Sequence, residues 1–184
     1  MGESGTNGVY SVTSNRGLTW TNVEIADIVL NDVASYTSTS NVQYYIAVAE
    51  NSGAFVSSGV GLSFTSVPSF NANLFGICVS QSGVAFAVGY SNTVYRSTVA
   101  TNFSSWTQVS CPASQQDLYD AASIDGLTAY AVGQGGTMYK LTNSGTSCVA
   151  LTSGTTNNLY AISLATNDVG MVLGANNYVA RTAD

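Results

Sequence analysis

The chain has 184 residues, a net charge of −6 and only 8% charged residues. Its four cations, Arg16, Arg96, Lys140 and Arg181, are too few for the basic stripe that nucleic-acid binding needs, and no apolar run approaches the roughly 20 residues of a membrane span. With no histidine and no Cys-x-x-Cys pair, a nucleophilic triad, a metal site or a cofactor has no ligand set here, and none is expected.

Short apolar, aromatic or β-branched runs bounded by Gly, Asn or Ser read as strands throughout. The first two are "GVYSVT" (8–13) and "LTWTNV" (18–23). "IADIVL" then opens at Ile25, and similar openings recur as "LFGICV" from Leu74, "LYDAAS" from Leu118 and "LYAISL" from Leu159, spaced by 49, 44 and 41 residues. Each is followed by a second run: "YYIAVA" (44–49), "VAFAVG" (84–89), "TAYAVG" (128–133) and "VGMVLG" (169–174). A third follows after a turn: "GAFVSS" (53–58), "TVYRST" (93–98), "TMYKLT" (137–142) and "YVARTA" (178–183). Three repeats add a fourth: "LSFTSV" (62–67), "SWTQVS" (105–110) and "SCVALT" (147–152).

Four short strands per 40–50 residues predict an all-β β-propeller with four-stranded antiparallel blades. The expected repeats are 1–24 (partial), 25–73, 74–117, 118–158 and 159–184 (partial), in one domain or segment spanning 1–184. Third and fourth strands at the N-terminus and first, second and third at the C-terminus allow two arrangements. One is a four-bladed ring closed by strand sharing. The other, favoured by the surplus third strand, is an arc of a larger propeller, completed by further blades or a protein partner.

With no His and a single Gly-Gly pair at Gly135-Gly136, the chain lacks the WD and Kelch signatures. "TSNRGLTW" instead resembles the Asp-box, or BNR, repeat, with Thr13, Asn15, Gly17, Thr19 and Trp20 filling its specified places. Degenerate copies recur: "SSGVGLSF" (57–64), "STVATNFSSW" (97–106) and "LTNSGTSC" (141–148), the last keeping Asn143 and Gly145 with Cys148 at the Trp place. The motif implies a hairpin corner in which the Asn side chain accepts turn N–H groups, Gly takes positive φ and Trp packs beneath. The blades are also similar to those of the photosystem II stability/assembly factor family. That resemblance implies a binding chaperone in an organelle lumen or the periplasm, and a basic residue on each third strand. Arg96, Lys140 and Arg181 match that place; Ser11 and Val56 depart from it.

These three cations are the candidate binding residues for an acidic partner or carboxylate ligand, with repeat inheritance as the alternative. Asp27 and Asp120, read as equivalent positions on two first strands, are the candidates for a channel-facing carboxylate pair of the kind a glycoside hydrolase uses. Bonding of these carboxylates to neighbouring backbone N–H groups is the favoured reading. Exposed Tyr and Trp keep a glycan-binding reading open, although Tyr95, Tyr139, Tyr119 and Tyr160 fall at repeated in-strand places and read as packing residues. Cys78 sits in an apolar run and reads as an inert buried thiol, and a Cys111–Cys148 bridge is one possible pairing. The sequon Asn102-Phe103-Ser104 lies in an inserted turn. Together these features predict a non-enzymatic binding or scaffold protein in a lumenal or extracellular setting.

Overall fold

The structure is a computed structural model that describes residues 7–26, 28–59, 63–67 and 72–182. Among these residues it contains five separate antiparallel sheets and no α-helix. An N-terminal pair, β1 (Asn7–Val12) and β2 (Thr21–Ala26), precedes three four-stranded blades. Blade 1 comprises β3 (Leu30–Thr37), β4 (Gln43–Ala49), β5 (Gly53–Ser58) and β6 (Thr65–Ser66). Blade 2 comprises β7 (Leu74–Val79), β8 (Val84–Gly89), β9 (Thr93–Thr98) and β10 (Thr107–Gln108). Blade 3 comprises β11 (Leu118–Ser123), β12 (Ala129–Gly133), β13 (Met138–Thr142) and β14 (Ser147–Ala150). Blade 4 has three strands among the described residues: β15 (Leu159–Leu164), β16 (Gly170–Gly174) and β17 (Val179–Thr182).

One expected boundary is wrong. "IADIVL" does not open the first full blade: Ile25 belongs to β2, and the blade's first strand begins at Leu30. The apolar run from Ile25 to Leu30 crosses from one sheet to the next, which hides the boundary from a reading of hydrophobicity. With the correction, "LNDVAS" aligns with "LYDAAS", and the first three blades open 44 residues apart.

Second strands are apolar on both faces because each blade is covered by its neighbours. Val84–Gly89 shows this: only its first residue is more than marginally exposed. Phe86, Val88 and Val94 of blade 2 pack against Leu118, Ala131 and Leu141 of blade 3 in one buried cluster. Ile46, Val48 and Ala54 of blade 1 pack in the same way on Leu74 and Ala87 of blade 2. Second strands of blades 2 and 3 end in glycines because the chain passes too close for a side chain. A Cβ at Gly89 would lie 1.9 Å from the Asn73 carbonyl oxygen, and one at Gly133 2.0 Å from that of Asp117.

Neighbouring blades are also joined by polar clamps. The residue preceding the first strand of blades 2, 3 and 4 accepts a backbone N–H from the second-to-third-strand turn of the blade before. Asp117 Oδ1 accepts from Ser91 at 2.9 Å, and Asn158 Oδ1 accepts from Gly135 at 2.9 Å. Asn73 Oδ1 accepts from Asn51 in the equivalent place. Satisfying a turn N–H from the next repeat makes each turn depend on its neighbour, as expected in a stacked array. A Cys111–Cys148 disulfide ties the segment after β10 to β14, and Cys78 is free, with burial pushing its thiol up to about 12.

Candidate binding site

Asp27 lies outside the described residues. The residue in register with Asp120 is Asp32, and both stand just after a bulge that interrupts the first strand's pairing. Asp120 Oδ1 accepts from Ala121 N at 2.8 Å and Oδ2 from Ile162 N, on the next blade, at 2.8 Å. Asp32 does the same, accepting from Val33 at 2.8 Å and from Ile77 of blade 2 at 2.9 Å. Burial raises both carboxyls above their ordinary value, and the backbone N–H groups pull them back. Each carboxylate therefore clamps two blades. Gly76 and Ala161 occupy the alternate places, and a Cβ at Gly76 would lie 2.5 Å from the Tyr119 carbonyl oxygen. Asp120→Ala strips the acceptor from two backbone N–H groups and is expected to cost about 2 kcal/mol. Asp168→Ala, at an exposed site, is expected to stay within about 0.5 kcal/mol. Urea denaturation of both variants checks this.

The corner at 13–20 has the expected hydrogen bonds. Asn15 Oδ1 accepts from Thr19 N at 2.9 Å, Thr13 Oγ1 accepts from Gly17 N at 3.0 Å, and Gly17 has φ +83°. The Trp20 indole lies beside Gly17 of the turn but is 59% exposed, whereas Trp106 is 9% exposed. At the later corner Asn143 accepts the Thr146 hydroxyl through its backbone carbonyl, and Gly145 is buried with φ +82°. Trp20 borders a cleft of about 550 Å³ between the N-terminal pair and blade 1, together with Tyr10, Tyr45, Phe64 and Val33.

The three repeated cations share a register but not an environment. Arg96 pairs across strands with Phe86 and Thr107 and lies in the filled seam between blades 2 and 3, where its Nε is buried without an acceptor. Lys140 pairs with Tyr130, and its ammonium sits 5.6 Å over that ring. Arg181 pairs with Met171 and is exposed. They do not form one strip.

The seam between blades 3 and 4 holds a groove of about 410 Å³. Tyr130, Met138 and Lys140 line it from blade 3, Ile162, Leu164 and Val172 from blade 4, with Arg181 and Thr182 at its border. Its cause is a size difference. In blade 3, Tyr139 pairs with Ala131 and Leu141 with Ala129, and both side chains are buried in the seam behind it. In blade 4 the same places hold Ala180, paired with Val172, and Thr182, paired with Gly170. Two large side chains are replaced by small ones and the seam opens. Setting "TMYKLT" against "YVARTA" carries this signal; attention to the cations alone passes over it.

No family model matches the chain, and no curated protein matches it. Solved structures share its fold. One of YCF48 bound to a D1 peptide superposes with a TM-score of 0.68 at 18% identity, covering 96% of this chain and 59% of that one. YCF48 from Cyanidioschyzon merolae gives 0.66 at 20% identity, covering 95% of this chain and 61% of that one. A GH74 xyloglucanase from Xanthomonas campestris gives 0.67 at 14% identity, covering 92% and 32%. The chain thus has a β-propeller fold of this kind and spans about six-tenths of the YCF48 chains and a third of the xyloglucanase.

Proposed function

We propose that this chain is a non-enzymatic propeller module of a larger assembly, which holds an extended, mainly apolar protein segment in the groove between blades 3 and 4. The groove carries this reading. Its walls are mainly apolar, with Thr152, Ser153 and Thr182 among them, and Lys140 over Tyr130 offers a positive charge to a carboxylate on the segment. With a net charge of −6, long-range attraction does not favour an acidic partner, so apolar burial supplies most of the affinity and Lys140 sets the orientation. That a YCF48 of this fold binds a D1 peptide supports a peptide-holding role. The GH74 neighbour keeps glycoside hydrolysis as the rival, but both oxygens of Asp32 and of Asp120 are taken by backbone N–H groups.

The exposed face of blade 4 is in register with faces that are covered in blades 1 to 3. This supports a further blade-like surface, from the same or another chain, as its neighbour. The Cys111–Cys148 bridge supports an oxidising compartment, lumenal or extracellular. The corner at 13–20 is read as an Asp-box in a purely structural role.

The test fills the groove. Ala180→Tyr with Thr182→Leu restores the residues that blade 3 carries, so the fold should tolerate it. Binding of fluorescent apolar peptides with a free C-terminal carboxylate should fall about tenfold or more in this variant, and by a similar factor in Lys140→Glu. Equal binding by the filled variant and the parent would refute the groove as the site.

A further inference from the structure

All four blades interrupt the pairing of their first strand at the same place: between Leu30 and Asp32, Leu74 and Gly76, Leu118 and Asp120, and Leu159 and Ala161. The skipped residues are Asn31, Phe75, Tyr119 and Tyr160. A bulge takes a side chain out of the pleat and re-aims it. In blades 2, 3 and 4 the re-aimed side chains are aromatic and meet across the blade boundaries. Phe75 and Tyr119 lie 6.3 Å apart between ring centroids at an interplanar angle of 44°; Tyr119 and Tyr160 lie 5.8 Å apart at 34°. The sequence reading of Tyr119 and Tyr160 as packing residues is incomplete. They pack on each other, and Tyr160 remains 54% exposed.

Three rings thus form a continuous band along the leading ends of the inner strands. Its surroundings are polar and lack cations. Asp117 acts electrostatically on Tyr119, and Gln116, Asn158 and the second-to-third-strand turns with Gln134 and Asn176 lie on the same edge. Arg96, Lys140 and Arg181 sit on third strands opposite Phe86, Tyr130 and Met171, toward the other ends of the blades. Partial burial, then Asp117, raises the Tyr119 hydroxyl above its ordinary value.

We infer that the Phe75–Tyr119–Tyr160 band, presented by the repeated first-strand bulge, is a binding platform for a neutral glycan chain. Aromatic rings offer apolar faces to the C–H faces of sugars, and flanking amides offer donors and acceptors to hydroxyls. The Asp117 carboxylate beside the band and the band's lack of cations disfavour an anionic glycan. The platform shares no residue with the groove between blades 3 and 4, so the two sites stand or fall separately.

The test is titration of the intact chain with neutral hexasaccharides of glucose, mannose and N-acetylglucosamine, with hexagalacturonate and a proline decapeptide as comparators. At least one neutral hexasaccharide should bind. Tyr160→Ala, at an exposed site that leaves the fold intact, and Tyr119→Ala should each weaken it about tenfold, while Tyr119→Phe, which keeps the ring, should stay within about threefold. An unchanged far-UV circular dichroism spectrum and a cooperative urea transition confirm that each variant is folded. Failure of all neutral sugars, indifference to Tyr160→Ala, or binding confined to the anionic sugar or the proline peptide would overturn the inference.

Discussion

Phe86→Ala is expected to lower the free energy of unfolding by about 3–5 kcal/mol, and Met171→Ala by less than about 0.5 kcal/mol. The two residues occupy the same place in blades 2 and 4, opposite Arg96 and Arg181. Phe86 is fully buried because blade 3 covers it, packed with Leu118, Tyr139 and Leu141. Removing its ring leaves a cavity lined by side chains that β-sheet backbones hold in place, so the site collapses poorly. Met171 is 47% exposed, as is Leu173, because no described residue covers that face. The contrast isolates the contribution of blade-on-blade packing from that of strand propensity. Urea titration of both variants measures it, and equal losses would mean that blades are stabilised mainly from within.

Loss of the Cys111–Cys148 bridge is expected to have the next largest effect. The bridge closes a loop with a sequence separation of 37. Chain-entropy arguments for a loop of this size give about 4 kcal/mol, lost in a Cys111→Ser, Cys148→Ser double variant or on reduction. The bridge lies where the chain passes from blade 2 to blade 3, at the outer strand, and Cys111 and Cys148 both pack against the cluster that holds Phe86. Cys148 stands at the Trp place of its corner, so the disulfide does there what Trp106 does in blade 2. Trp106 is buried there, and its Nε1 donates to the Phe103 carbonyl at 2.9 Å. A midpoint that does not move under reductant would contradict this account of the bridge.

Much of the architecture was legible because the repeat is written in residue types that have one structural meaning. The second strands, from "YYIAVA" to "VGMVLG", are apolar on both faces, and that pattern at a regular spacing specifies stacked blades. Outer strands were legible only as existing. "LSFTSV" shrinks to Thr65–Ser66 and "SWTQVS" to Thr107–Gln108, because an outer strand packs little and its pairing ends where the corner bends away. The partner of Asp120 was misplaced: Asp27 and Asp32 each stand two residues after an aliphatic residue, Ile25 and Leu30, and only the pairing register shows that Asp32 lies beyond the bulge. The cations were legible as a repeat but not as a site. Their surroundings depend on what the next blade places opposite them, and a seam filled by Tyr139 and Leu141 differs from one lined by Ala180 and Thr182. The aromatic band was hidden because a bulge is a feature of pairing rather than of composition.

Hydrogen–deuterium exchange with and without a bound apolar peptide tests the central claim most directly. The groove reading predicts slowed exchange in β13, in the 151–153 segment and in β16 and β17, with little change in blade 1. Slowed exchange confined to the cleft around Trp20 or to the Phe75–Tyr119–Tyr160 edge, with the blade 3–4 seam unchanged, would contradict it.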